Sequence, residues 1–362
     1  MKKLTPQYKM RLVRLSKRSM RKKKFSQARF YSLSLSEVVA LKQKFPLVSV
    51  KFLKNAVIEI TAPPVLRMNN HSDEIFQFLA CIRASAVIKN RSLKVDFTTI
   101  QDMSPLCTML VAAEVHRWQK MCKKRLRVVD SDSWKPEIRR LFIDMGVFGI
   151  VEVVNPFRDY ESPREESFIK LRSGQEVDLG AALEDIEREV SKVALIIESQ
   201  PLMYGGIEEA VTNVSQWAYK TGDYPFEIKE RWWFAASYNR LLKRVTIMVY
   251  DHGIGIPDSL PLRWAEKLKD WTARLGLSGL NDSHLIEAAV EIPRTASGAD
   301  YRGKGLPKMK KLLERFDRGG LCVYSGFGEY RISYQDNEFV SHKVEHSNSL
   351  GGTLIAWEVY SS

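Results

Sequence analysis

The chain has 362 residues, which is enough for about two domains with complete hydrophobic cores. Its composition, 44% hydrophobic and 27% charged, is typical of soluble globular proteins, and no run approaches the roughly 18 apolar residues of a membrane-spanning helix. The four cysteines lack a short paired spacing, which excludes a zinc finger or disulfide framework and predicts reduced thiols in a cytoplasmic protein.

The net charge of +13 is a property of the N-terminus. Residues 1–30 contain twelve Lys or Arg and no Asp or Glu, whereas the remainder has 44 basic and 43 acidic residues. Such a basic block either neutralises phosphates on nucleic acid or an anionic membrane, or only keeps the chain soluble. The sequence leaves these alternatives open and predicts a flexible tail.

Strands alternate with helices after the tail. Residues 48–60 form two short β-type runs that predict a hairpin, and 93–97 and 126–129 predict two further strands. Apolar residues recur at helical spacing over 73–88, 106–121 and 136–145, where the last helix ends at Gly146. This alternation predicts an α/β domain over 31–155.

A loop and helix begin with DFTTIQDMSPLCT, and a strand and the segment SWKPEIRRLFIDMGV follow them. On these motifs, residues 48–154 resemble a STAS domain. STAS domains are the fold of anti-sigma factor antagonists, which carry Asp-Ser-x-Gly, with a phosphorylated serine, at the start of this helix. Here Ser104-Pro105-Leu106-Cys107 stands at that element. The departure disfavours Ser104 or Thr108 as phosphate acceptors, so the resemblance implies binding, either of a partner or of the neighbouring domain.

A polar segment separates this part from the second half of the chain. The sequence predicts a linker over 156–170 and a second domain over 171–362, with an amphipathic helix at 183–199 and a break at 201–206. The next predicted helix, EEAVTNVSQWAYK, has two opposed faces. Its apolar face contains Ile207, Ala210, Val211, Val214 and Ala218, and its polar face contains Glu209, Asn213, Gln216 and Lys220.

Glu209 and Asn213 form a carboxylate–carboxamide pair one helical turn apart. Such a pair is able to hold a divalent ion and a water beside a phosphate, or it is an ordinary solvated polar face. The apolar run RVTIMVY, a strand covered on both faces, leads directly into Asp251 and the glycines Gly253 and Gly255. An aspartate at this strand end can accept a hydrogen bond from an exocyclic amine, and the glycines allow the backbone to approach a ligand.

The segment 258–302 is long, contains predicted helices at 262–275 and 282–290, and is predicted to be a lid. It leads into RGKGLP and a predicted helix at 306–316, whose N-terminus offers free N–H groups to an anion, while Arg302 and Lys304 add positive charge. Closing strands are predicted at 321–325, 330–334 and 352–359, and the motif Gly351-Gly352-Thr353 begins the last one.

These four elements, in this order, resemble the N, G1, G2 and G3 boxes of the GHKL ATPases, which include gyrase and the histidine kinases, over about 171–362. The resemblance implies a Bergerat α/β sandwich that binds ATP and magnesium. Asn213 would coordinate the magnesium ion, Glu209 would be the general base, and Asp251 would bind the adenine amino group. The implied adenine and phosphate contacts are Gly253, Gly255, Arg302, Gly303, Lys304, Gly305, Leu306 and Thr353, with Lys220 as a further candidate.

The branch that the sequence resembles most is the anti-sigma factor serine kinases, which share the string Glu-Ala-Val-Thr-Asn as it stands at Glu209–Asn213. Trp217 and the long lid depart from that branch, and an upstream phosphoacceptor histidine helix is lacking, which disfavours a sensor histidine kinase. The resemblance implies transfer of the γ-phosphate to a protein Ser/Thr or to water, a regulatory protein partner and a homodimer. The alternatives are a nucleotide-gated interaction switch with little turnover and a nucleic-acid-associated ATPase that uses the basic tail.

Overall fold

The computed structural model describes residues 40–53, 57–68, 72–86, 92–122, 127–157, 166–175, 184, 188, 200–219, 231–260, 280–291 and 305–360. The predicted tail, most of the predicted helix 183–199 and the predicted lid helix 262–275 lie outside these residues. Within them, no helix combines the length and the apolarity that crossing a bilayer requires.

Residues 40–157, the N-terminal unit, are a mixture of helices and strands, as predicted. The elements in chain order are α1 (Ala40–Lys44), β1 (Ser49–Leu53), β2 (Val57–Thr61), β3 (Val65–Leu66), α2 (Ser72–Ala86), β4 (Ser92–Asp96), β5 (Asp102–Met103), α3 (Pro105–Cys122), α4 (Pro136–Asp144) and α5 (Val147–Ile150). Strands β1 and β2 pair antiparallel, which confirms the hairpin, and β4 adds parallel to β2. Strands β3 and β5 form a separate parallel pair.

The predicted strand at 126–129 is wrong for residues 127–129, which have no regular secondary structure. Val128 instead lines a cavity of about 350 Å³, together with the β4 residues Leu93 and Val95. Arg127 and Val129 are exposed. The apolar run predicts a strand because it has β propensity, but propensity without a neighbouring ladder does not form one.

The second half of the chain forms one antiparallel sheet of seven strands. These are β6 (Glu166–Gly174), β7 (Trp232–Asn239), β8 (Arg244–Asp251), β9 (Arg318–Ser325), β10 (Gly328–Gln335), β11 (Glu338–Glu345) and β12 (Thr353–Tyr360), in the spatial order β11-β10-β9-β12-β8-β7-β6. Strand β6 begins inside the predicted linker 156–170. Strand β11 was not predicted, because it is an edge strand whose side chains are mostly exposed and carry no apolar alternation.

Among the described residues, one face of this sheet is covered by the helices α6 (Gln200–Asn213), α7 (Asp282–Glu291) and α8 (Gly305–Leu313). The predicted break at 201–206 is wrong, because α6 runs through it. Pro201 stands in the first turn, where its missing N–H costs no helical hydrogen bond. The predicted apolar face is confirmed, since Ile207, Ala210, Val211, Val214 and Ala218 are all buried. A π-helical turn, Val214–Ala218, continues α6.

The N-terminal unit covers the opposite face of the same sheet. Side chains alternate between the two cores along β7, where Trp232 and Phe234 face the helices and Trp233 and Ala235 face the N-terminal unit. The continuous apolar run of β8 divides in the same way, which confirms the prediction that this strand is buried on both faces. The molecule therefore has three layers, with the seven-stranded sheet in the middle.

Candidate functional site

The sequence motifs of the second half meet at one small cavity between the sheet and its covering helices. Five of the predicted site residues line it: Asn213 of α6, Asp251 at the end of β8, Gly255 in the following loop, Leu306 of α8 and Thr353 at the start of β12. The cavity has a volume of about 70 Å³. We refer to it as the site cavity.

Asp251 is a buried carboxylate that two backbone groups hold in place. The N–H of Gly253 donates a hydrogen bond of 2.6 Å to its Oδ1, and the N–H of Thr353 donates a second one. Burial raises the pKa of Asp251 to about 7, although both N–H groups act to lower it. Asp251 is therefore a buried acceptor at the edge of the site cavity.

Ser325 is a residue of this site that sequence reasoning missed. It is fully buried at the end of β9, and its Oγ lies 2.9 Å from Oγ1 of Thr353. The same Oγ accepts a hydrogen bond of 2.8 Å from the N–H of Ile256. Ser325 therefore fixes the loop after β8 against the start of β12. Its only sequence signal is its place at the end of a predicted strand.

Two glycines allow the segments around the cavity to touch. A Cβ on Gly253 would lie 2.3 Å from the Cβ of Ala218, and the adjacent N–H of Ile254 donates a 2.8 Å hydrogen bond to the carbonyl of Ala218. Gly352 has a φ of +136°, and a Cβ there would lie 1.8 Å from the carbonyl oxygen of Asp251. These two glycines therefore permit close contacts between segments of the protein, whereas the predicted approach of Gly253 and Gly255 to a ligand stays a prediction.

Glu209 and Asn213 lie one turn apart on α6, and both are half-buried, whereas Glu208 is exposed. Asn213 lines the site cavity, but Glu209 is outside its lining. Among the described residues, no three His, Cys, Asp or Glu side chains cluster as a metal site. The predicted roles of Asn213 as a magnesium ligand and of Glu209 as the general base stay predictions.

Trp217 is the largest side chain among the residues that line the site cavity. It is half-buried, lines the cavity and belongs to the π-helical turn Val214–Ala218. Such turns insert one extra residue into a helix and are frequent at functional sites. Ligand pockets usually measure about 300 Å³ or more. The site cavity, at about 70 Å³, is smaller than such pockets.

The phosphate end of the predicted site is described in part. Helix α8 begins at Gly305, so its first N–H groups have no partners within the helix, and Leu306 of its first turn reaches the cavity. Arg302, Gly303, Lys304 and Lys220 lie outside the described residues. The roles predicted for those four residues stay predictions.

The N-terminal unit contacts the site from behind the sheet. Glu114 of α3 lies 3.5 Å from Nε2 of His252, which follows Asp251, and Arg83 of α2 donates a 3.1 Å hydrogen bond to the carbonyl of Leu350. Burial acts to raise the pKa of Glu114, but Arg117 and Arg83 outweigh it and hold the pKa well below its ordinary range. Burial lowers the pKa of His252 to about 4. The sequence gives no signal for these contacts, because each joins residues far apart in the chain.

No protein-family model matches the chain, and no curated protein is significantly similar to it in sequence. The resemblances to STAS domains and GHKL ATPases therefore depend on the motifs and on the arrangement described above.

Proposed function

We propose that the chain binds Mg-ATP in the site cavity, in the manner of a GHKL ATPase, and transfers the γ-phosphate to a protein Ser/Thr or to water. The observation that supports the proposal most is that Asn213, Asp251, Gly255, Leu306 and Thr353 line one cavity. They come from the four motifs on which the resemblance depends. Motifs that matched by chance would have no reason to converge in this way.

The adenine end of the proposed site is the buried carboxylate of Asp251. An exocyclic amine donates to a carboxylate, and a buried acceptor discriminates strongly in favour of ligands that supply this donor. Thr353 lies opposite Asp251 and is oriented by Ser325. These residues form a rigid acceptor pair that favours adenine over a base with a carbonyl at the same position.

The phosphate end combines the N-terminus of α8 with the pair on α6. The free N–H groups of a helix N-terminus bind phosphate oxygens, and a bound magnesium ion would neutralise charge on the phosphates. Asn213 is the residue that would hold this ion. Glu209, one turn away, would accept the proton of the attacking water or hydroxyl.

Incubation with isotopically labelled Mg-ATP tests the proposal. We expect the wild type to bind ATP and to release or transfer phosphate. Glu209→Ala should retain binding and lose turnover, whereas Asn213→Ala should lose magnesium-dependent binding. Equal residual hydrolysis in all three proteins would contradict the enzymatic proposal.

A nucleotide-gated interaction switch is the second candidate. It is favoured by two contacts of the N-terminal unit. Glu114 contacts His252, which follows Asp251, and Arg83 contacts the carbonyl of Leu350, which precedes Thr353 by three residues. Tight ATP binding without measurable turnover in the wild type would select this candidate. The proposed STAS-like character of the N-terminal unit suits either function, because in both it acts through protein contacts.

A further inference from the structure

We propose that Arg83 and Glu114 are positioning residues of the nucleotide site, although both belong to the N-terminal unit and neither lines the site cavity. Through them, docking of the N-terminal unit on the sheet and binding of the nucleotide become coupled. The inference rests on the proposed function, because it concerns the affinity of that site. It assigns a role to buried charges that the chemistry of the site does not itself require.

Glu114 contacts the loop that follows Asp251, a lining residue of the site cavity. Its side chain is 1% exposed, and its Oε2 lies 3.5 Å from Nε2 of His252. The ring of His252 packs edge-on against Trp233, with a centroid distance of 4.6 Å, and against Tyr250, at 4.9 Å. Because His252 directly follows Asp251, a displacement of its ring moves the backbone that orients the Asp251 carboxylate.

Arg83 contacts the loop that precedes Thr353, a second lining residue. Its Nη2 donates hydrogen bonds to the carbonyl of Leu350, at 3.1 Å, and to Oε2 of Glu114, at 2.8 Å. A Cβ on Gly351 would lie 2.0 Å from its Nη1, so the guanidinium lies directly against the backbone that leads into Thr353. One buried ion pair therefore touches both loops, and the same carboxylate oxygen faces Arg83 and His252.

The geometry distinguishes positioning from simple docking. Tyr324 also crosses the interface, since its hydroxyl donates a 3.4 Å hydrogen bond to the carbonyl of Met68 and accepts one from Arg331. Its side chain contacts neither His252 nor the Leu350 carbonyl through these bonds. Tyr324→Phe therefore removes a buried polar interaction of the same interface and leaves the Arg83–Glu114 link in place, which makes it a matched control.

The test measures the Kd of a fluorescent ATP analogue with magnesium, together with the Tm, for the full chain. The proteins compared are the wild type, Glu114→Gln and Tyr324→Phe. Loss of the Glu114 charge should raise the Kd about tenfold, within the range of typical coupling between sites. Tyr324→Phe should leave the Kd within about twofold, even where its Tm falls as far as that of Glu114→Gln.

His252→Phe keeps the test decisive if Glu114→Gln does not fold. This variant retains an aromatic ring that packs against Trp233 and Tyr250 but removes the nitrogen that faces Glu114. It should therefore also weaken binding of the ATP analogue. Hydrogen exchange of the wild type gives an independent readout, because coupling is reciprocal. The nucleotide should slow exchange of the amides of α3 around Glu114.

The outcomes separate the two proposals. If the wild type binds the analogue while Glu114→Gln and His252→Phe bind equally well and α3 gains no protection, the positioning role is wrong and the proposed function stands. If the wild type does not bind the analogue at all, the proposed function is wrong and the positioning role with it. If Tyr324→Phe also raised the Kd about tenfold, Arg83 and Glu114 would contribute only to docking of the N-terminal unit, and the positioning role would be wrong.

Discussion

Asp251 and Thr353 stand directly opposite each other on the antiparallel strands β8 and β12, and both line the site cavity. The register of the sheet thus brings together two motifs that are distant in sequence. The same register places Ser325 of β9 opposite Thr353, where the two hydroxyl oxygens are 2.9 Å apart. The acceptor end of the site is therefore built on three neighbouring strands rather than on flexible loops, which favours precise positioning.

The raised pKa of Asp251 predicts a pH dependence of stability. Burial raises this pKa from 3.8 to about 7, so the native state holds the proton to higher pH than the unfolded chain does. The stabilising contribution is complete below about pH 4 and is lost as the pH rises through about 7. Asp251→Asn does not titrate. Its free energy of unfolding relative to the wild type should therefore rise by about 4 kcal/mol from pH 4 to pH 8, as measured by urea denaturation.

His252 titrates with the opposite sign, because burial lowers its pKa to about 4 and its contribution is lost as the pH falls. It is present in both proteins, so comparing Asp251→Asn with the wild type removes most of its effect. If the free energies of unfolding of the two proteins changed equally with pH, the raised pKa of Asp251 would be contradicted.

The contact between Gly253 and Ala218 predicts opposite effects for two glycine substitutions. Gly253→Ala would place a Cβ 2.3 Å from the Cβ of Ala218 and should destabilise the protein by about 3 kcal/mol, with weaker nucleotide binding. Gly205→Ala, in α6, meets no atom within 4 Å and should stabilise it by about 0.5–1 kcal/mol. Urea denaturation measures both. Similar losses in the two variants would show that Gly253 has no special packing role.

Trp217 predicts a gain of binding on truncation. This side chain lines a cavity of about 70 Å³, so under the proposed function a nucleotide would bind a more open state, and the apparent affinity would be reduced by the population of that state. Trp217→Ala should therefore increase both the association rate constant and the affinity for a fluorescent ATP analogue, by about tenfold. Trp217→Phe should lie between this variant and the wild type. Weaker binding by Trp217→Ala would instead identify the indole as a stacking partner of the base.

Sequence patterns predicted the elements whose side chains alternate between core and solvent or fill both faces of a strand. The buried face of α6 and the two-sided burial of β8 are examples. The convergence of Asn213, Asp251 and Thr353 was predictable only through the order of the motifs, because their spacing along the chain does not itself bring them together. Strand β11 was missed because an exposed edge strand has no apolar period.

Contacts between distant parts of the chain could not be predicted. Arg83 lies in a helix whose sequence pattern is amphipathic, and a single arginine in such a helix is expected to be solvated. Its burial follows from the packing of the N-terminal unit on the sheet, which brings it to Leu350 and Glu114. The continuous apolar run of β8 indicated that both faces were covered but carried no information about which segment covers each.

The two adjacent glutamates of α6 give the sharpest test of the catalytic proposal. Glu209 is half-buried and lies one turn from Asn213, whereas Glu208 is exposed. Glu209→Gln preserves size and removes the proton acceptor, so turnover should fall by about 10²–10⁴ while the Kd for Mg-ATP changes little. Glu208→Gln should change neither, which controls for the loss of one negative charge on this helix. Phosphate release under steady state and the Kd of a fluorescent analogue measure the two quantities. Equal turnover in the two variants would rule out Glu209 as the base, whereas binding without turnover in the wild type and in both variants would favour the switch, in which binding and not hydrolysis carries the function.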